Sequence, residues 1–160
     1  MSRSPLIYVD HGQLLSAAMK AVRRKKRLRS ADVAMRMDIP LRTYEHVEAG
    51  KGGLTFERLI SFGKATDSDP YGLLAALATA TPPLAAWVSD NKLAFIFVSI
   101  LREFAETLGE QMAEVDAMTA VTILSQATTE LADKVRGRIE REQLWISEQT
   151  KSDRRHRKRR

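Results

Sequence analysis

The chain has 160 residues, of which 44% are hydrophobic, 26 are basic, 20 are acidic and none is cysteine. This apolar content is enough for one or two small packed domains. The lack of cysteine excludes disulfides, thiol chemistry and cysteine-ligated zinc, and it is consistent with a reducing cytoplasm. The first residues lack a signal-peptide core and the longest apolar run, LAFIFVSIL, is too short to span a membrane, so no membrane association is expected.

The net charge of +6 is concentrated in two segments. Residues 20–29 contain seven basic residues and no acid, and residues 151–160 contain seven basic residues and one acid. The second segment therefore accounts for the whole excess, and the rest of the chain is neutral overall. Positive charge clustered in this way is typical of proteins that bind the phosphates of nucleic acids.

Residues 27–51 carry the most informative pattern, because two short helical periodicities meet there across Asp38, Ile39 and Pro40. The apolar residues recur at steps of three and four, which predicts that each helix buries one stripe against the other; they are Leu28, Val33, Ala34, Met37, Ile39, Tyr44 and Val47. The pattern fits a helix-turn-helix that reads DNA. It also fits a plain helical hairpin in an all-α protein.

The surrounding chain, from about residue 15 to residue 77, resembles the lambda repressor and Cro family, the XRE type of helix-turn-helix protein. The resemblance has no gap, and it implies five helices within the segments 14–28, 30–37, 41–51, 55–66 and 69–77. The third is the implied recognition helix, which would enter the major groove of double-stranded DNA. The resemblance also implies an ion pair between Arg23 and Glu48, which would make Glu48 structural rather than a base reader.

The residues expected to contact DNA lie on and around the third helix. Arg42 suits a bidentate contact with guanine, although it could equally clamp a phosphate, and His46 is either a base reader or a solvated histidine. Leu41 could make only apolar contact, for instance with a thymine methyl group. Glu45 points outward beside them, and the expected phosphate contacts come from hydroxyls and cations near the groove wall: Thr43, Ser30, Lys51, Arg24, Lys26 and Arg29.

Several helix ends have local causes in the sequence. Gly50 can adopt the left-handed conformation that ends a helix, and Thr55 is a suitable N-cap for the fourth helix. Three residues depart from the family pattern: Arg27 and Asp38 stand where glycine is usual, and Pro40 stands where Ser or Thr is common. These departures predict that the first helix runs on or ends differently, and that the third begins without a capping hydroxyl after an extended Ile39.

The chain beyond residue 81 is predicted to form a separate helical region. Thr79 to Pro83 interrupt the pattern, and two helices follow, Asp90 to about Leu108 and Asp116 to about Glu148, with Gly109 between them. The first is apolar around most of its circumference, so we expect a C-terminal helical hairpin that dimerises. The expected contacts are Phe95, Phe97, Ile100, Leu101 and Phe104. The alternatives are a monomer whose helices fold back, or a ligand pocket lined by the phenylalanines.

The sequence thus predicts an all-α protein with a DNA-binding domain at 1–81, an oligomerisation region at 82–150 and a disordered basic tail at 151–160. The expected function is a transcription regulator, repressor or activator, that binds a pseudo-palindromic operator as a homodimer in the cytoplasm, associated with the nucleoid. An alternative is an antitoxin-type autoregulator whose C-terminal helices bind a protein partner. An enzyme is not expected, since the histidines are scattered and GKGG at 50–53 lacks a preceding strand; no cofactor or metal is expected either.

Overall fold

A computed structural model describes residues 10–52 and 55–157, with side chains as far as residue 150. The described residues form helices and no strands, which confirms the all-α prediction. The chain divides into two compact units, Met1–Thr107 and Leu108–Arg160. The boundary therefore lies after residue 107 and not after residue 81, where the sequence pattern is interrupted.

The first unit consists of seven helices within the described residues. They are α1 (His11–Lys25), α2 (Ser30–Arg36), α3 (Leu41–Glu48), α4 (Phe56–Thr66), α5 (Gly72–Ala78), α6 (Pro83–Trp87) and α7 (Leu93–Leu108). The second unit contains a 3-10 helix (Gly109–Glu114) followed by α8 (Ala117–Arg157). The first five helices fall within the segments expected from the sequence, except that α1 begins three residues earlier and α5 ends one residue later.

The early start of α1 has a local cause. The Asp10 carboxylate accepts hydrogen bonds from the backbone N–H groups of Gly12 and Gln13, at 2.9 and 3.2 Å. These are groups that no earlier turn of the helix can satisfy, so the aspartate stabilises the helix end. The Thr55 hydroxyl caps α4 in the same way, accepting from the N–H of Arg58 at 3.3 Å.

Left-handed residues end the helices around the turn. Arg27 and Asp38 both have φ of +54°, and Gly50 has φ of +74°. Arg27 thus ends α1 in the conformation that glycine usually provides, at a cost of roughly 1–2 kcal/mol, and Asp38 adopts it more readily. Pro40 precedes α3 without a side-chain cap, and its carbonyl accepts from the N–H of Tyr44 at 3.1 Å.

The core of the first unit forms where α1 packs against α3, α5 and α6, and where α2 packs against α3 and α4. Its largest fully buried side chains include Tyr44, Phe62 and Met19, and most of the buried apolar residues form one continuous cluster. Burial of this single cluster holds the helices in place, since isolated helices of seven or eight residues are unstable in water.

α6 corrects the expected domain boundary. The segment 79–83 does interrupt the helical pattern, but the chain then turns back, and α6 buries Ala85 and Ala86 against α1 and α5. The buried residue Asp69 extends this connection to α7: its two carboxylate oxygens accept from the N–H groups of Tyr71 and Phe95, each at 3.0 Å. The region predicted to begin a separate domain is therefore part of the first unit.

α8 also differs from the expectation, because it does not stop near Glu148 but continues to Arg157. Most of the tail predicted to be disordered is therefore helical, while residues 158–160 lie outside the described residues. Lysine and arginine favour helices, and cations at a C-terminal end interact favourably with the helix dipole. Among the described helices, none combines the length and apolar character that crossing a membrane would require.

Candidate nucleic-acid interface

α3 is divided into a buried and an exposed side. Tyr44, Val47 and Glu48 are buried, with Tyr44 fully inaccessible. The other residues of the helix are exposed: Leu41, Arg42, Thr43, Glu45 and His46. All five of the base-facing candidates from the sequence therefore share the outer side of this one helix. α2 packs against α3 across the turn at residues 37–40, which fixes the angle at which that side is presented.

A hydrogen-bonded ion pair anchors the end of α3 to α1. Arg23 Nε donates to Glu48 Oε1 at 2.6 Å, and Arg23 Nη2 donates to Glu48 Oε2 at 3.1 Å. The Tyr44 hydroxyl donates to Glu48 Oε1 at 2.8 Å, and Arg23 Nη1 donates to the carbonyl of Leu28 at 3.1 Å. Burial, together with the bond to Glu48, raises the pKa of Tyr44 well above its usual value, and the bond to Glu48 also raises the pKa of Arg23.

The structure thus brings together the two residues that the family resemblance implies should pair. Glu48 is buried and fully engaged, so it belongs to the support of α3 rather than to its exposed side. The bidentate geometry defines the position of the helix end more tightly than a single contact would.

A close backbone approach holds the other side of the same helix end. A Cβ built on Gly50 would lie 2.0 Å from the carbonyl oxygen of Gly12, and one built on Gly12 would lie 2.6 Å from the carbonyl oxygen of Gly50. No side chain fits in either place. The two glycines therefore let the start of α1 touch the end of α3, and Gly50 also needs its positive φ.

The expected phosphate contacts divide into two groups. Lys51 and Arg24 are exposed, and Ser30 is half-buried as the first residue of α2. Arg29 is 84% exposed and pairs with Asp32 at 3.1 Å, which lowers the pKa of that carboxyl. These four residues are accessible to a phosphate.

Lys26 does not fit the role predicted for it. Its side chain is only 18% exposed, and its Nζ lies 2.6 Å from Asp90 Oδ1 and also contacts the carbonyl of Asp67. Lys25 binds the same carboxylate at 2.7 Å. The hydrogen bonds from Lys25 and Lys26 lower the pKa of Asp90 to about 2. Part of the basic segment is thus neutralised within the protein, and Lys26 is a structural residue.

Sequence reasoning missed both Asp90 and a polar groove on α1. The groove lies beside Ala49 at the end of α3 and is lined by Gln13, Ser16, Ala17, Lys20, Ala21 and Arg24. Its α1 residues recur at helical spacing, so the periodicity of α1 could have identified them. The pairing of Asp90 with lysines more than 60 positions away leaves no local signal.

The residues expected to dimerise lie on α7 and are exposed there, by 42–57% of their surface. They are Phe95, Phe97, Ile100, Leu101 and Phe104. Phe95 is also in contact with the first unit's surface, since its ring centroid lies 5.9 Å from that of Tyr71.

No group of three or more histidine and carboxylate side chains suited to holding a metal occurs in the described part of the chain. Comparison with protein-family models, with curated proteins and with solved structures gives no significant match. The interpretation of this surface therefore depends on its own geometry and on the family resemblance of residues 15–77.

Proposed function

We propose that this protein is a sequence-specific DNA-binding regulator of transcription, in which α3 enters the major groove. The observation that carries the proposal is the outer side of α3, where a guanidinium, a hydroxyl, a carboxylate and an imidazole stand exposed on a helix whose other side is buried. A helix of this kind fits the major groove, where the edges of the bases present distinct donors and acceptors. The resemblance to the lambda repressor and Cro family supports the same assignment.

Accessible cations on both sides of α3 would contact the DNA backbone. Lys51 follows its C-terminal end, Arg29 precedes α2, and Arg24 lies in the groove on α1 beside Ala49. Such contacts fix register and orientation, while the side chains of α3 supply sequence preference. We assign Arg42 to base readout, with His46 and Leu41 as neighbouring contacts.

The regulator is expected to work as a dimer. Two copies related by a twofold axis would read half-sites about one helical turn, or ~34 Å, apart, so the operator should be a pseudo-palindrome. Bound at a promoter in the cytoplasm, the dimer would block or recruit the polymerase. The basic segment 151–160 would add phosphate contacts, so its deletion should make affinity less dependent on salt while leaving sequence preference unchanged.

The test begins with selection of bound sequences from a random duplex library by the full chain. Affinities for the selected duplex and for its single-base variants are then measured for the wild type and for Arg42→Ala. We expect Arg42→Ala to lose roughly 1–3 kcal/mol of preference at one base pair. Arg102→Ala is the matched control, because Arg102 is an exposed arginine on α7 whose side chain is 74% accessible.

Two outcomes would contradict the proposal. If the full chain selects no sequence and binds all duplexes alike, α3 is not a reading helix. If Arg42→Ala weakens binding to every duplex by the same factor, Arg42 is a phosphate contact and the assignment of base readout to it is wrong.

A further inference from the structure

The exposed side of α7 is the largest apolar feature of the first unit that its core does not use. Of the sixteen residues of α7, all of them described, only Ala94 is buried. Phe97, Ile100, Leu101 and Phe104 recur at steps of three and four, so they form one stripe along the helix. Their exposed fractions are 49, 53, 57 and 42%.

The size of this surface matches one side of a protein interface. Seven large apolar side chains between positions 95 and 104 are 38–57% exposed. If each of these side chains is given about 150–250 Å², the range for an aromatic residue, this amounts to roughly 500–800 Å² of exposed apolar surface. The largest apolar patch of a typical monomer is about 300–600 Å², and each side of a standard interface is about 800 Å².

The charges at the two ends of the stripe indicate what covers it. No charged residue occurs between Leu93 and Leu101, so the centre suits an equally uncharged surface. Lys92 lies before the stripe and Glu103 near its other end; both are exposed, and no ion pair involves either of them among the described residues. Arg102 and Glu106 also lie at that end, but they pair with each other at 3.7 Å, so their charges cancel. A second copy running in the opposite direction would bring unlike charges together, whereas a parallel copy would bring like charges together.

We propose that α7 packs antiparallel against α7 of a second copy of this chain, with the twofold axis passing between Phe97 and Ile100. In that arrangement Phe97 of one copy faces Ile100 of the other. Lys92 then lies within two residues of Glu103 of the partner subunit, or ~3 Å along the helix axis. Such an interface is self-complementary, as twofold symmetry requires.

This inference rests on the proposed function for its purpose, since a dimer would present two copies of α3, but its test does not involve DNA. The mass and the dissociation constant of the full chain are measured by sedimentation equilibrium. We expect a dimer at micromolar concentration, and Ile100→Asp should raise the dissociation constant at least about tenfold, because it places an unpaired carboxylate in the interface. Leu74→Asp is the matched control: Leu74 is an apolar residue of α5 with 46% exposure, and its change should leave the constant within about twofold.

A charge exchange tests the direction of the helices. Lys92→Glu and Glu103→Lys should each weaken the dimer, and the two changes combined should restore it, because unlike charges then meet again. Circular dichroism of each variant shows whether it remains folded. The interface would be overturned by a wild type that is still monomeric at a concentration of about 100 micromolar, or by an Ile100→Asp variant whose mass is unchanged. The antiparallel direction would be overturned by a double variant that dimerises more weakly than both single variants.

The dimer and the DNA-binding proposal can fail separately. An Ile100→Asp monomer that still prefers the selected half-site over other duplexes leaves α3 as the reading helix. A wild-type dimer that selects no sequence leaves the interface and refutes the proposed function.

Discussion

Removal of the Glu48 carboxylate should destabilise the first unit more than any change on the outer side of α3. Glu48→Ala leaves the charge of Arg23 without its acceptors and the hydroxyl of the fully buried Tyr44 without a partner. Breaking a buried ion pair from one side costs about 3–5 kcal/mol, against at most about 1 kcal/mol for an exposed pair. The side chains of Glu48 and Arg23 are 7 and 18% exposed, so the cost expected for a buried pair applies rather than the cost for an exposed one.

The lower end of that range applies here. Arg23 keeps one hydrogen bond, to the carbonyl of Leu28, and its 18% exposure allows some hydration of the charge. We therefore expect a loss of about 3 kcal/mol. In a unit of this size one kcal/mol corresponds to about 4–8 °C, so the melting temperature should fall by about 12–24 °C.

The assay must report the first unit alone, and the two tryptophans make this possible. Trp87 lies in α6 and Trp145 in α8, so Trp145→Phe leaves Trp87 as the single fluorescent reporter within the first unit. Urea and thermal unfolding are then followed by tryptophan fluorescence. Glu45→Ala is the matched control, since Glu45 is an exposed glutamate of α3 and its loss should change stability by no more than about 0.5 kcal/mol.

A loss below about 1 kcal/mol for Glu48→Ala would place the pair among solvent-exposed ones and refute the reasoning. The double variant Arg23→Ala/Glu48→Ala separates the interaction from other effects of each change. If the residues act as a pair, the double variant loses less stability than the two single variants added together.

Two other changes test further features of the fold. Gly50→Ala should destabilise the first unit by more than about 2 kcal/mol in urea unfolding, because the positive φ costs roughly 1–2 kcal/mol and the added Cβ would lie 2.0 Å from the carbonyl oxygen of Gly12. Gly137→Ala is the control: Gly137 lies in the middle of α8 with its nearest neighbour at 3.4 Å, so the change should stabilise that helix by about 0.5–1 kcal/mol. Equal effects of the two changes would contradict the close approach of Gly50 to Gly12. The pKa of Asp90 lies at about 2, below its value in an unfolded chain, so its contribution to stability is present above pH 4 and is lost as the pH falls toward 2. Asp90→Asn should accordingly be less stable than the wild type at neutral pH, and the gap should close in unfolding experiments between pH 4 and pH 2, while a gap that does not depend on pH would contradict the ion pairs.

The sequence predicted the first five helices well because their signals are local. Gly50 and Thr55 mark helix ends by their own conformational and hydrogen-bonding properties, and the buried stripe of α3 follows from periodicity. Asp38 adopts the left-handed conformation that its place in the turn suggested. The outer side of α3 could be predicted for the same reason, because the residues of α3 that do not belong to the buried stripe must face outward.

The features that the sequence missed depend on contacts between distant segments. α6 has five residues, too few to show a helical period, so the sequence pattern predicts a domain boundary at the interruption before it. Lys26 lies in the basic segment 20–29, which predicts phosphate contact, but its side chain pairs with Asp90. The tail was expected to be disordered for lack of apolar residues, whereas nothing after Gly137 in α8 breaks a helix that is already formed.

The carboxylate of Asp69 has a consequence for operator choice. It accepts hydrogen bonds from the backbone at Tyr71 and from the first turn of α7, and the N–H of Asp69 donates to the carbonyl of Ser89. These bonds fix the direction in which α7 extends from the core. Two protomers that meet through α7 would thus hold their α3 helices at one separation. Operators whose halves are moved apart by even one or two base pairs should be rejected, and Asp69→Asn should relax that rejection before it abolishes binding.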